Sequence, residues 1–305
     1  MKRQSIIIFI LFLSINLIPT LARCLPSMEE SIRKPIFSGS WYPKQKEALK
    51  GKITQFLKNA SCPQLNGRIL ALIVPHAGYM YSGQIAAYAY KLIKGRRYER
   101  VIILGPSHRY MFSGVSVNIQ KAYRTPLGLV SVDQEFGKKI INSSSEIRWV
   151  PLAHRFEHSI EIQLPFLQLA LKDFKIIPIL FGEQGLNTCK ILSKAIFKLL
   201  QKDDQKSLLI ASSDLSHYHT YSEAKKLDSV FIKNLKNLDP ISLDKALKLG
   251  QCEACGKGAV LTAILYSRLR GANMVTILKS GNSGDVTGER ERVVGYCAVA
   301  IWIMD

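Results

Sequence analysis

The sequence predicts a single α/β domain, built on a mixed or parallel central sheet with helices on both faces. Its main support is a set of four short, continuous apolar runs: residues 69–74, 101–104, 176–181 and 207–211. Such runs are typical of strands buried on both faces. Stretches with helical spacing follow these strands, and this alternation predicts a layered α/β fold. The length of 305 residues by itself allows one large domain or two small ones.

Further elements fit this plan. Residues 44–60, 84–94 and 259–265 have helical spacing, and residues 293–303 form a last apolar run that predicts a core strand. Residues 114–132 alternate around Thr125-Pro126-Leu127-Gly128, which predicts a β-hairpin within the fold.

The first 22 residues are predicted to be a signal peptide or an N-terminal anchor. Lys2 and Arg3 precede an apolar stretch at 5–19, and Thr20 and Ala22 supply the small residues of a cleavage site. Fifteen apolar residues are fewer than the roughly 20 that a spanning helix needs, which favours a cleaved leader. We therefore expect an exported or membrane-anchored protein, or a cytoplasmic one if the leader does not function, with its domain at residues 35–305.

The formal net charge is +19, a balance compatible with nucleic acid, an anionic membrane or an acidic partner. The lysines are scattered along the chain, without a nucleic-acid motif or a basic patch interleaved with aromatic residues. The sequence thus predicts no nucleic-acid partner, and membrane contact only through the N-terminal leader.

Three of the six histidines follow predicted strands directly: His76, His108 and His217. Ligands of open α/β sheets bind beyond the carboxyl ends of the strands, so these histidines are expected to share one crevice. Neutral imidazole is the commonest protein ligand of divalent metals. Asp214 and His217 are the predicted catalytic pair, and they could also perform acid–base chemistry without a metal.

A metal site needs further donors, and the candidates are Asp214, Glu161, His217 and a cysteine thiolate. Cys255 precedes the helical run 259–265, where a helix dipole favours the thiolate as a ligand or a nucleophile. With Cys252 it forms a C-x-x-C pair, which fits redox chemistry, metal binding or chance.

Residues 157–165 have helical spacing, so His158 and Glu161 are expected on one helix face. They are predicted to surround the site, where they would orient a ligand or move a proton. A solvated helix start with a serine cap is the alternative.

Several blocks together resemble the Memo family, in the family's order, over roughly residues 35–304. They are FSGSWYP at 37–43, VPHAGYMYSG at 74–83, LGPSH at 104–108, RTPLG at 124–128, HSIEIQLP at 158–165, SSDLSH at 212–217, ACGKG at 254–258 and VVGYCA at 293–298.

The resemblance implies a fold similar to that of the LigB-type class III extradiol dioxygenases, which use non-haem iron. It implies a metal site at His76, His108 and Cys255, with Asp214 and His217 nearby. Iron (Fe²⁺) is the expected metal and copper the second candidate. The ring-cleaving relatives have a carboxylate as third ligand, so Cys255 puts ring cleavage in doubt. The implied partners are radical-SAM and AMMECR-type proteins of the AmmeMemoRadiSam system.

Four functions follow as hypotheses. The first is a redox or metal-handling protein with iron or copper, and the second is a dioxygenase-like oxidoreductase acting on a small substrate. The third is a metal-free hydrolase or transferase with Cys255 as nucleophile. The fourth is a partner-binding module whose site is vestigial. In an oxidising compartment a disulfide between Cys252 and Cys255 would remove the thiolate ligand.

Overall fold

The fold is seen in a computed structural model that describes residues 31–201 and 206–304. The strands in chain order are β1 (Ile32–Arg33), β2 (Gly67–Val74), β3 (Arg100–Pro106), β4 (Val115–Val117), β5 (Ala122–Thr125), β6 (Gly128–Ser131), β7 (Ile147–Arg148), β8 (Lys175–Phe181), β9 (Ser207–Ser212), β10 (His217–His219), β11 (Met274–Asn282) and β12 (Val293–Met304). The helices are α1 (Lys46–Asn59), α2 (Tyr79–Ile93), α3 (Gln134–Ile141), α4 (Pro151–Arg155), α5 (Leu164–Ala170), α6 (Leu186–Leu200), α7 (Tyr221–Lys236), α8 (Pro240–Lys248), α9 (Lys257–Leu269) and α10 (Gly284–Thr287), with a 3-10 turn at Glu161–Gln163.

The main sheet has nine strands in the order β10-β12-β2-β9-β3-β8-β4-β7, with β11 paired to β12. Its centre, β2-β9-β3-β8, is parallel, whereas β12 runs antiparallel to β2 and β4 runs antiparallel to β8. The predicted α/β class with a mixed central sheet is confirmed.

The central strands are buried on both faces because their apolar side chains alternate between two cores. In β3, Val101 and Ile103 belong to the core that contains α1, α2 and α5. Ile102 and Leu104 belong to the opposite core, formed with α3, α6, α7, α8 and α9. Continuous apolar runs are therefore the correct signal for these strands.

The predicted hairpin spans only part of residues 114–132. β5 and β6 form it around the turn at 125–128, and they pair with β1 in a separate three-stranded sheet. β4 instead joins the edge of the main sheet next to β8.

The predicted helix over residues 157–165 is wrong in its first half. His158 lies in a turn, and α5 starts only at Leu164, with Pro165 in its first turn. Proline has no N–H to donate and fits the first turn of a helix, which places the helix start beside Pro165. The alternative of a solvated helix start is also wrong, because Glu161 is fully buried.

Within residues 31–201 and 206–304, each helix is too short or too polar to span a bilayer. The leader predicted for residues 1–22 lies outside the described residues.

Candidate metal centre

Three neighbouring strand ends supply the first residues of the site. β9 lies between β2 and β3, and all three strands run parallel. The chain passes from β2 to His76, from β3 to His108, and from β9 to Asp214. These three residues therefore meet at one edge of the sheet, as expected for a ligand site of an open α/β fold.

A third imidazole, that of His158, comes from the turn between α4 and the 3-10 turn. The ring centroids of His76 and His108 are 5.2 Å apart, those of His76 and His158 5.2 Å, and those of His108 and His158 4.4 Å. One ligand atom from each histidine lies within 4.8 Å of the other two. Since metal–imidazole bonds are about 2.1 Å long, two nitrogens on one ion lie up to about 4 Å apart. The ligand atoms of this His76–His108–His158 cluster lie close to that spacing, so the cluster could hold a metal ion.

Burial keeps two of these imidazoles neutral. His76 is 1% exposed and His158 is 7% exposed. Burial, reinforced by the neighbouring His108, lowers the pKa of His76 to about 3. Burial, reinforced by His76, lowers the pKa of His158 to about 2. Near neutral pH both rings therefore keep the nitrogen lone pairs that a metal ion requires.

Glu157 is the carboxylate that organises this cluster. Its Oε1 lies 2.9 Å from His108 Nδ1, and its Oε2 accepts a 2.6 Å hydrogen bond from the His108 backbone N–H. It also accepts 2.9 Å hydrogen bonds from the backbone N–H groups of His158 and Ser159. Burial opposes ionisation, but the hydrogen bond and charge of His108, with His158, bring the pKa of Glu157 down to about 2. A carboxylate that orients a ligating histidine is a recurrent feature of metal sites.

The buried nitrogens of the other two histidines differ in their partners. His76 Nδ1 lies 2.9 Å from Ser212 Oγ, which also accepts a 2.8 Å hydrogen bond from Gln163. His158 Nδ1 lies 3.3 Å from Glu157 Oε1 without hydrogen-bond geometry, so this buried atom has no hydrogen-bond partner among the described residues. Three converging imidazoles, two of them kept neutral by burial and one with an orphaned nitrogen, are a donor set that fits a divalent metal.

Cys255 lies beside this cluster, immediately before the Gly256 cap of α9. Its sulfur is 3.2 Å from His76 Nε2, and the backbone N–H of Asp214 points to the sulfur at 3.3 Å. Burial and the charge of Asp214 raise the pKa of the Cys255 thiol well above its ordinary value. These surroundings therefore outweigh the expected effect of the helix dipole and favour the protonated thiol. A bound cation would reverse that preference, because thiolates are stabilised by metal coordination.

The predicted catalytic pair is only partly assembled around the cluster. Asp214 is buried and accepts a 2.7 Å hydrogen bond from the backbone N–H of His76. Burial raises the pKa of Asp214 to about 6, against the hydrogen bond from His76. His217 begins β10 and is half-buried, and its backbone N–H is held by Glu253 at 3.1 Å. It contributes no ligand atom to the three-histidine cluster.

Glu161 faces the N-terminal segment and makes no hydrogen bond to a cluster histidine among the described residues. Its Oε1 accepts 2.6 Å and 2.9 Å hydrogen bonds from the Tyr42 hydroxyl and the Phe37 backbone N–H. Its Oε2 accepts from the backbone N–H of Ile36 and forms a buried ion pair with Arg33. The five cysteines in the described part of the chain, Cys252 and Cys255 among them, are free thiols.

Comparison with known proteins agrees with this architecture. The family described as "Memo-like protein" matches residues 33–300. The chain belongs to the Memo family.

Curated relatives support this membership along nearly their whole length. A MEMO1 family protein of Methanobrevibacter smithii is 38% identical over 277 residues, covering 88% of this chain and 98% of that protein. A MEMO1 family protein of Aeropyrum pernix is 38% identical over 280 residues, covering 88% and 99%. The resemblance to the Memo family seen in the sequence is confirmed.

A solved structure resembles this Memo-family chain in fold alone. It is the crystal structure of an uncharacterized protein from Escherichia coli K12, with a TM-score of 0.52 and 15% sequence identity. The match covers 77% of this chain and all of that one.

Sequence reasoning overlooked Glu157 and assigned His158 to the surroundings of the site, whereas the structure places His158 within the cluster. Both residues enter from the connection between α4 and α5, which does not directly follow a strand of the main sheet. The one signal in the sequence was the position of Glu157 directly before His158, the first residue of the block at 158–165 that resembles the Memo family. An acidic residue beside a histidine is too common to identify a site alone.

Proposed function

We propose that this Memo-family protein binds one metal ion at the His76–His108–His158 cluster and acts in redox chemistry or metal handling. The observation that carries the proposal is the convergence of one ligand atom from each histidine within 4.8 Å. The carboxylate of Glu157 behind His108 and the hydroxyl of Ser212 behind His76 support it, since ligating histidines usually have such partners.

Iron is the metal we propose, with copper as the second candidate. Imidazole nitrogens suit both ions, and an iron site built from histidines and an anionic donor supplies O₂-activating or electron-transfer chemistry. Cys255 is the proposed anionic donor because its sulfur is 3.2 Å from His76 Nε2, a distance compatible with two ligands of one ion. Asp214 and His217 are the proposed groups for moving protons beside the metal.

The proposed setting is an AmmeMemoRadiSam-type system, in which the partners are a radical-SAM protein and an AMMECR-type protein. Family membership supports this setting, because such proteins accompany many bacterial and archaeal members.

Elemental analysis of protein purified without oxygen tests the metal proposal. We expect about one equivalent of iron or copper in the wild type, and at least a tenfold loss of affinity in His108→Ala or His158→Ala, as ligand removal costs several kcal/mol. His219→Gln is the matched control, because His219 pairs with Glu253 and lies outside the cluster. A Cys255→Ser variant that keeps its metal would remove Cys255 from the ligand set but leave the histidines. Wild-type protein without stoichiometric iron or copper would contradict the proposal.

A second candidate, a cysteine nucleophile, is favoured by the same contact between Cys255 Sγ and His76 Nε2. A thiol beside an imidazole that a hydroxyl orients is an arrangement used by covalent catalysts. Against it, the pKa of Cys255 is raised and that of His76 is lowered, so both groups are neutral rather than an ion pair. Fast iodoacetamide alkylation of Cys255 that added iron leaves unchanged would favour the nucleophile. Slow alkylation, slowed further by iron, would favour the metal site.

A further inference from the structure

A basic pocket lies at the end of the sheet opposite the metal centre. Its cavity has a volume of about 740 Å³, in the range of pockets that hold small molecules. Two connections form its walls: residues 94–99, which lead into β3, and residues 168–173, which lead into β8. Lys206, immediately before β9, completes it. The pocket therefore occupies the amino ends of three parallel strands whose other ends are at or next to the metal centre.

The walls of the basic pocket are held together by backbone hydrogen bonds. Gly95 N–H donates to Ala170 O at 2.9 Å, which joins the two connections. Lys175 N–H donates to Glu99 O at 2.9 Å, and Glu99 N–H donates to Lys206 O at 2.7 Å. Gly95 has a φ of +79°, a conformation that glycine adopts without steric cost. These contacts fix the cavity in the fold before any ligand arrives, which lowers the entropy cost of binding.

The charge of the lining is strongly one-sided. Lys and Arg make up five of its 13 residues, compared with 42 of 305 in the whole chain. With the two acidic residues Glu99 and Asp173, the lining carries a net charge of 5 − 2 = +3. The basic character of the whole chain therefore does not account for this concentration of positive charge.

Four of these cations have no acidic partner among the residues that the structure describes. The fifth cation, Lys206, forms an ion pair in the pocket, with its Nζ 2.7 Å from Glu99 Oε1. Lys94, Arg96, Arg97 and Lys172 make no ion pair with any residue in 31–201 or 206–304. Clustered like charges repel one another, and an anion bound among them removes that repulsion and gains charge-assisted hydrogen bonds.

Tyr98, Ala170 and Leu171 also line the pocket, and they form its apolar floor. They are buried, with exposed fractions of 6%, 5% and 4%. Lys94, Arg96, Arg97 and Lys172 form the cationic rim of the pocket. A ligand that combines several negative charges with a planar or apolar part would contact both the rim and the floor. A single inorganic ion would leave most of the 740 Å³ unfilled.

From the cavity, its unpaired cations and its apolar floor, we infer that the basic pocket binds a small polyanion of nucleotide size, carrying phosphate groups. Arg96 and Arg97 are the residues we assign to the phosphates, because planar guanidinium groups make paired hydrogen bonds to them. This inference does not depend on the metal centre at the other end of the sheet.

Calorimetric titration with ATP, and separately with pyrophosphate, tests the inference in a buffer without added metal. We expect ATP to bind the wild type and the affinity to fall as salt is raised from low to physiological concentration. The double variant Arg96→Ala/Arg97→Ala is expected to lose at least about tenfold in affinity, because hydrogen bonds to charged groups are lost. Lys94→Ala/Lys172→Ala provides a second, independent variant of the same rim.

The matched control is Lys50→Ala/Lys58→Ala, which removes two exposed charges from α1 outside the pocket. Equal losses in the control and in the rim variants would overturn the inference, since net charge alone would then explain binding. It would also be overturned if the wild type bound neither probe, if His108→Ala abolished ATP binding while the rim variants kept it, or if oligonucleotides bound more tightly in proportion to their length. Unchanged circular dichroism and melting temperature of the variants show that they fold.

Discussion

Glu157 and Glu161 are four residues apart, and both are buried, yet they bind different parts of the molecule. Glu157 is 2% exposed and directs its oxygens to His108 and the turn that carries His158. Glu161 is fully buried and binds Arg33, Tyr42 and two backbone N–H groups of the N-terminal segment. One carboxylate orients the candidate ligands, and the other joins the start of the domain to its core.

This difference shows that burial and residue type alone do not reveal a functional carboxylate. The partner decides the role: an imidazole can exchange its proton for a metal, whereas a guanidinium keeps its charge and only pairs. Glu157 should therefore control metal affinity, and Glu161 should control the stability of the fold.

The largest expected effect is that of Glu161→Gln on stability. The substitution leaves the charge of Arg33 buried without its carboxylate, a change that typically costs 3–5 kcal/mol, so we expect about that loss. Urea unfolding followed by circular dichroism measures it. A loss below about 1 kcal/mol would contradict the structural role of Glu161.

The reciprocal change, Glu157→Gln, should act mainly on the metal. Loss of a carboxylate behind a ligating histidine typically weakens metal binding about 10- to 100-fold. We expect this loss in competition titrations against a chelator of known affinity, with a smaller change in unfolding free energy than Glu161→Gln causes. The two variants serve as controls for each other. Equal effects of both on metal affinity would contradict the separate roles of Glu157 and Glu161.

A smaller effect should appear in the pH dependence of stability. It comes from His154, a buried histidine that contacts Arg33. Its carbonyl accepts a 3.0 Å hydrogen bond from Arg33 Nε, and burial together with the charge of Arg33 lowers its pKa from 6.5 to about 3. Below pH 6.5 the unfolded chain takes up a proton that the folded chain does not, so stability falls as the pH drops towards 3. At pH 5 this pKa shift should lower the free energy of unfolding by about 2 kcal/mol.

Urea titrations at pH 7 and pH 5, with wild type and His154→Gln, measure this contribution. The variant should lose less stability between the two pH values, and the difference should be about 2 kcal/mol. If both proteins lost the same unfolding free energy, His154 would be protonated in the folded state at pH 5. Water would then reach its imidazole in spite of its burial.

The central strands were predictable because each is buried on both faces, and an apolar run is a local signal. Their ends were placed a residue or two short, since β3 and β8 begin with the charged residues Arg100 and Lys175, and β2 begins with Gly67. His76 and His108 were also predictable, because parallel strands bring their carboxyl ends together without any knowledge of side-chain packing.

The rest of the site depends on contacts between distant segments. His158 enters the cluster from a connection whose path depends on Arg33 and Glu161, which are 128 residues apart in the chain. The protonation preference of Cys255 is likewise a result of burial beside Asp214, 41 residues away. No periodicity in the sequence encodes such contacts.

Arg33 also gives the N-terminal segment a mechanical role. Its Nη2 donates a 2.6 Å hydrogen bond to the carbonyl of Glu157, the residue that holds His108, and its neighbour Ile32 pairs with β5. A pull on the chain ahead of residue 32, from a fused tag or a surface attachment, is resisted first by these contacts, one step from the imidazoles. A load applied at the end of β12 is instead spread over the long ladders that β12 forms with β2 and β11. The two ends of the domain thus differ in how directly an external force reaches the His76–His108–His158 cluster.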